Sequence, residues 1–126
     1  MLERYKGVRW CPDEHKRFFR PYVTYKRGHY YLKTWRDPVS AARVRDIAHR
    51  WVHGPNAQPN FPVAVCPKGI TEGDIARWLI EAGIPLAFLV TRVPLRTLLE
   101  AGVTESSLLG AGVPLATLLP QPTSAK

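Results

Sequence analysis

Hydrophobic and polar positions alternate along the first third of the chain and step in tens along the last. Between Phe18 and Tyr25, the residues Phe19, Pro21, Val23 and Tyr25 fall on one side and Arg20, Tyr22 and Thr24 on the other. A two-residue period is that of a half-buried strand. From His29 to Trp35 the same period sets Tyr30, Leu32 and Thr34 against His29, Tyr31 and Lys33. The compact Lys26-Arg27-Gly28 turn joins the two runs, and Tyr5 to Trp10, aromatic and β-branched, adds a third strand before the turn-rich Cys11 to His15. The prediction is an antiparallel meander with one apolar face and one basic face interleaved with aromatic rings. Pro21 has no N–H to give to a ladder, so a bulge is expected there.

The period then changes. Asp37 reads as an N-cap, Pro38 as the first helical residue and Gly54 as the residue just past the end. Ala41, Val44, Ala48 and Trp51, with Ile47 beside them, form a stripe at helical spacing that can cover the apolar face of the sheet. Arg43, Arg45, Asp46 and Arg50 are expected to flank that stripe or point to solvent. Residues 55 to 67 hold four prolines and predict an extended connection. Thr71-Glu72-Gly73-Asp74 has the form of a capping box, opening a helix over Ile75 to Ala82 that Gly83 stops.

From there an apolar pair recurs as Leu79-Ile80, Leu89-Val90, Leu98-Leu99, Leu108-Leu109 and Leu118-Leu119, at spacings of 10, 9, 10 and 10. Gly83, Gly102 and Gly112 suit the left-handed position after a helix, Pro85, Pro94 and Pro114 the first turn of the next, and Thr104 the N-cap of the decad that lacks a proline. Each decad is read as one short helix and a glycine turn, with the leucine step buried between neighbours. A β-solenoid would need more β-branched residues than these Ala-, Leu- and Glu-containing decads hold. The expected fold class is α+β: a three-stranded antiparallel sheet packed on one helix, followed by a small all-α stack. Its parts are a strand-and-helix domain over 1–62, a linker over 63–70, short helical repeats over 71–120 and a tail over 121–126.

Charge falls on one side of that division. Residues 1–62 carry thirteen Lys and Arg against five Asp and Glu, a net +8, while residues 63–126 carry five of each, net zero. All four histidines and most of the aromatics also lie in the first part. An excess confined to one end points to a polyanionic partner for that end alone. Cys11 and Cys66 have no CxxC spacing and no partner cluster, so neither a zinc site nor a disulfide framework is indicated. The N-terminus lacks an apolar signal segment, and Pro, Gly and charge interrupt the C-terminal run too often for a membrane span. A cytoplasmic protein without membrane partners is expected, nucleoid-associated or, for a phage-encoded chain, in the host cytoplasm.

Four ordered stretches carry a resemblance. Tyr5-Lys6-Gly7-Val8-Arg9 resembles the YRGVR opening of the Apetala-type (ethylene-response-factor) DNA-binding domain, and Tyr31-Leu32-Lys33-Thr34-Trp35 its WLGTF strand. Ser40-Ala41-Ala42 with Asp46-Ile47-Ala48 is similar to its EEAA and YDxAA helix text. Gly54, Ala57, Asn60, Phe61 and Pro62 match the ending G-x-x-A-x-x-N-F-P. Trp10 is closer to the microbial and phage version, often joined to HNH homing endonucleases. The resemblance implies a sheet face that enters the major groove of double-stranded DNA, with contacts at Lys6, Arg9, Arg20, Tyr22, Thr24, His29, Tyr31 and Lys33. Lys6, His29 and Lys33 depart from the family's arginines and strand glycine, so its base preference does not carry over, because Arg reads guanine with a fork that His and Tyr lack.

Lys26 and Arg27 at the turn join Lys6, Arg20 and Lys33 as expected phosphate contacts, and Arg9, Tyr22 and Tyr31 are the candidates for base readout. His49 and His53 have a chelating spacing but no third ligand, and are read as helix-end caps or phosphate contacts; His15 and His29 are read as backbone or groove contacts. Trp51, Trp78 and Tyr30 are assigned to the core, and Arg92 and Arg96 to a solvated surface. No HNH signature, paired carboxylates or nucleophile arrangement is present, so no enzyme, cofactor or metal is expected. The expected function is double-stranded DNA binding, with residues 71–120 serving protein interaction or self-association. The alternatives are the targeting module or remnant of an HNH-type homing endonuclease, and an interaction protein for RNA or another acidic partner.

Overall fold

A computed structural model describes residues 5–12, 17–55 and 57–114, with the side chains at 11, 12 and 17 excepted. The sequence readings at His15, Leu115 and Leu118-Leu119 and the 121–126 tail lie outside the described residues. The fold is α+β: β1 (Val8–Pro12), β2 (Arg17–Tyr25) and β3 (Gly28–Tyr31) form an antiparallel sheet in the order β1-β2-β3. Five helices follow: α1 (Pro38–His53), α2 (Glu72–Ala82), α3 (Leu86–Leu89), α4 (Leu95–Glu100) and α5 (Glu105–Gly110). None is long and apolar enough to cross a membrane.

β1 begins three residues later than its aromatic pattern suggests, and Gly7 is the reason. It sits at φ +69°, and a Cβ there would come within 2.4 Å of the Arg45 side chain, so only glycine fits. Asn60 then occupies the backbone of Lys6 on both sides, accepting its N–H at Oδ1 (2.7 Å) and donating from Nδ2 to its carbonyl (2.9 Å). Lys6 is thereby tied to the 58–60 loop, while the Gly7 carbonyl still accepts from the Tyr22 N–H of β2 (2.8 Å).

The bulge expected at Pro21 is displaced onto the facing segment. Pro21 is buried and still accepts from the Leu32 N–H (2.9 Å), but it has no proton to return. Two residues further on, Phe19 and Trp35 exchange both hydrogen bonds (2.6 and 2.8 Å). Lys33 and Thr34 therefore stand opposite the single residue Arg20, a two-against-one bulge. β3 ends at Tyr31 instead of running to Trp35, and both Lys33 and Thr34 are exposed.

α1 has the punctuation its sequence announces. The Asp37 carboxylate accepts from Val39 and Ser40 N–H (3.1 and 3.3 Å), Pro38 opens the helix, and the Gly54 N–H closes on Arg50 O. Ala41, Val44, Ile47, Ala48 and Val52 are buried; Trp51 is half-buried beside them. Arg45 and Asp46 overturn the expectation of a solvated flank, since each is only 6% exposed. Asp46 accepts from the backbone N–H of Asn60 and Phe61 (both 2.9 Å), from Asn60 Nδ2 (3.0 Å) and from Arg45 Nη1 (3.2 Å). Arg45 Nη1 also reaches Gln58 O (2.9 Å). A buried charge pair is tolerable when most of its remaining donors and acceptors are met; a loop 14 residues away supplies partners for Asp46 and for Arg45 Nη1, while Arg45 Nε is left buried without one.

α2 starts at Glu72, three residues before the predicted first turn, under a complete capping box between Thr71 and Asp74. The Thr71 N–H and hydroxyl hydrogen-bond Asp74, and with Arg77 beside it the Asp74 carboxyl is held below its usual range. Gly83, Gly102 and Gly112 take φ of 110°, 93° and 101°, as the helix-turn reading requires. Pro85 and Pro94, however, are N-caps in an extended conformation rather than first helical residues. The leucine step is likewise split. Leu79, Leu89, Leu98 and Leu108 are fully buried, whereas Leu99 and Leu109 remain 45% and 43% exposed, because a helix of one and a half turns has one inward side.

Buried residues from both parts of the chain join one core. Val23, Leu32, Val44, Ile47 and Val52 lie in the same cluster as Ile75, Leu79, Leu89, Leu98 and Leu108, and half-buried Cys66 and Ile70 pack on it. Residues 63–70 thus separate two charge regimes while the apolar core runs across them.

Candidate nucleic-acid interface

The sheet sets α1 on one side and leaves the other open. Phe19, Pro21 and Val23 are buried toward α1, so Arg20, Tyr22 and Thr24 face outward, as alternation predicts. Register brings their neighbours alongside: Arg9 lies opposite Arg20, Tyr31 opposite Tyr22, and His29 opposite Thr24.

Tyr31 is the centre of this face. Arg9 Nη1 donates to its hydroxyl (3.3 Å), and the Arg20 guanidinium lies 5.1 Å above its ring. Tyr22 meets it at 5.6 Å between centroids and stacks on His29 at 4.8 Å, with 25° between the planes; His29 meets Tyr31 edge-on at 6.4 Å. Two guanidiniums are thus oriented against three contiguous rings, and the described strands contain no Asp or Glu. Planar cations held against rings retain forked donors for phosphate or guanine edges, and holding them lowers the entropy lost on contact.

The other predicted contacts are placed around that cluster. The Lys6 side chain is exposed but donates to Gln58 Oε1 (3.1 Å) at the 58–60 loop. Thr24 lies where β1 has already ended, so its backbone carbonyl has no ladder partner. The His53 imidazole, from the last turn of α1, donates Nε2–H to that carbonyl (2.7 Å) and shares it with Thr24 Oγ1 (3.2 Å). Lys33, turned by the bulge, holds its ammonium 5.5 Å above both Trp35 and Trp78, which pack edge-to-face at 6.1 Å.

Lys26 and Arg27 form the two-residue tip of the hairpin, both at positive φ, 48° and 69°. Gly28, the residue that permits such angles freely, is instead in β3 paired with Tyr25. This tip is the type that Asn-Gly makes easily, and placing two long cations there stores strain.

His49 lies against His53 at 4.4 Å between centroids with the rings tilted by 37°, and its pKa is lowered to about 4, first by burial and then by neighbouring Arg45 and His53, against the opposing pull of Asp46. It is neutral near pH 7 and adds nothing to the basic charge. Among the described residues no three His, Cys, Asp or Glu side chains group to hold a metal. The Cys66 thiol is pushed up by burial and by Glu72 and Asp74, away from thiolate chemistry. Sequence reasoning missed His53 as the anchor of Thr24, and missed Arg50 and Arg92 as neighbours. Their partners lie 29 and 42 positions away along the chain, where no local period reports them.

The chain matches no protein-family model and no curated protein.

Proposed function

We propose that this protein binds double-stranded DNA through the outer face of the sheet, as a non-enzymatic, Apetala-type module of sequence-specific or semi-specific character. One observation carries the reading: Arg9 and Arg20 flank Tyr31 on an open face whose described strand residues include no acid, while the +8 charge resides in the same part of the chain. Arg9, Tyr22 and Tyr31 face the bases, and Arg20, Lys26, Arg27 and the outlying Lys6 and Lys33 contact phosphates. Residues from Thr71 onward serve protein contact or self-association.

The test is selection of bound sequences from a random duplex pool, followed by salt titration on the winner. Arg9→Ala should weaken the selected site about tenfold or more beyond its effect on random DNA, which corresponds to the roughly 1–3 kcal/mol a bidentate base contact discriminates. Equal loss on both would remove Arg9 from base reading, and no enrichment would defeat the specific-binding reading.

The aromatic cluster favours a second reading, because sheet-borne rings beside cations also stack unpaired RNA bases. Competition among duplex DNA, duplex RNA, single-stranded RNA and heparin separates the two, with B-form DNA the strongest competitor under the first.

A further inference from the structure

We propose that the cleft between the end of α1 and the α3 turn is a phosphate-binding site built by Arg50 and Arg92. It is a concavity of about 290 Å³ whose walls include Trp51, Gly54, Pro55 and Thr91. It lies on the helix side of the sheet, apart from the Arg9 and Arg20 face, and its argument does not rest on the duplex reading.

Three features point to an anion. The two arginines come from opposite parts of the chain, one from the basic part and one from the neutral part, and both line one cleft that no Asp or Glu lines. Neither forms an ion pair with a carboxylate among the described residues, where the recorded pairs are Arg45 with Asp46 and Arg77 with Asp74. Arg92 is also held in place, its guanidinium 5.4 Å above the Phe88 ring, while the Thr91 hydroxyl fixes the turn by donating to Phe88 O (2.6 Å).

Gly54, at φ +92°, places its backbone beside Arg92, where a Cβ would make an ordinary contact of 3.7 Å with Nη1. The carbonyl end of α1 carries partial negative charge and offsets a single cation in its last turn. A second guanidinium, contributed from outside that helix, turns the cleft net positive. Two planar forks matched to tetrahedral oxygens suit a phosphate group, and Trp51 offers a flat apolar wall beside it. The phosphate has two possible sources, a backbone phosphodiester of nucleic acid or a free phosphate monoester.

The experiment has two arms on the full chain. In the first, inorganic phosphate and adenosine monophosphate are titrated by calorimetry at constant chloride, with Arg50→Gln, Arg92→Gln, the double variant and Arg96→Gln, an exposed cation outside the cleft. In the second, duplex affinity is measured across salt concentrations for the same set, with near-ultraviolet dichroism confirming the fold of each. Saturable phosphate binding, weakened at least tenfold by Arg50→Gln and by Arg92→Gln and untouched by Arg96→Gln, supports the site with a free phosphate as its source. A fall in the salt slope of about one in the double variant, near 0.9 for the single phosphate the site holds, assigns it to nucleic-acid backbone. A folded double variant that matches the wild type in both arms overturns the proposal. Wild-type chain that takes up phosphate but no duplex overturns only the function proposed above.

Discussion

The strand-and-α1 part and the helical part share one core and use different physics to hold their shapes. In the first, a buried carboxylate is the organising group. Asp46 gathers Arg45, Asn60 and Phe61, and through Asn60 reaches the backbone of Lys6, so that helix, loop and first strand are fixed by directional bonds. In the second, no buried ion pair exists among the described residues, and shape follows from one inward leucine per short helix, with a left-handed glycine after α2, α4 and α5. A bonded frame can afford an open, charged face, because its geometry does not depend on burying that face. A stack of four- and six-residue helices has no such reserve, since helices that short are unstable without packing. This explains why the cations sit where they do.

Removing the organising carboxylate is the most severe way to break that contrast. Asp46→Ala leaves Arg45 as a buried charge without its counterion and strips Asn60 and Phe61 of their acceptor, with an expected loss of about 3–5 kcal/mol. Because the apolar cluster runs through both parts, denaturant unfolding followed by far-ultraviolet dichroism should show the helical part melting with the sheet in a single transition. A surviving helical plateau would mean that the two parts stand independently.

The leucine step sharpens the same comparison from the other side. Leu98→Ala empties a fully buried site and should cost about 2–5 kcal/mol, whereas Leu99→Ala, at a position 45% exposed, should cost below about 1 kcal/mol. Equal costs for the two would contradict the division of each pair into an inward and an outward residue.

These two sites also mark the limits of what the sequence makes legible. Caps and turns are local chemistry, so Asp37, Pro38, Thr71, Thr104 and the three left-handed glycines can be read directly, and so can the outer face of β2 from its alternation. Asp46 cannot, because its helical position looks solvent-facing until a loop 14 residues on folds back over it. Leucine pairs are ambiguous for a related reason: adjacent apolar residues fit a buried step as well as a single buried position. At Pro21 the missing proton was legible, but which strand would absorb the irregularity depended on pairing that no single strand encodes. The outer-face cluster follows from register, which brings Arg9 and Tyr31 together from 22 residues apart.

The hairpin tip offers a smaller and opposite effect, in which function and stability part company. Replacing Lys26-Arg27 by Asn-Gly relieves two non-glycine residues at positive φ and should raise stability by about 0.5–1 kcal/mol. The same change removes two cations expected on phosphate, so duplex affinity should fall and the salt slope should drop by about two. A more stable variant with unchanged affinity would leave the strained tip without a binding role.

The smallest expected effect concerns acid. His49 has a folded pKa of about 4 against an ordinary value of 6.5, so between those limits the unfolded chain takes up a proton that the folded chain refuses. Folding is therefore favoured above about pH 6.5 and loses this contribution as pH falls toward 4. Because His49 is only partly buried, solvent screens it and the slope should be shallow. His49→Gln keeps a polar ring-sized group at the position and abolishes the titration, so its stability should be flatter across that interval. Asp37 and Asp74, whose folded carboxyls are lowered, titrate below the histidine window and should still weaken both proteins at more acid pH. An unchanged slope in the variant would assign the loss to groups other than His49.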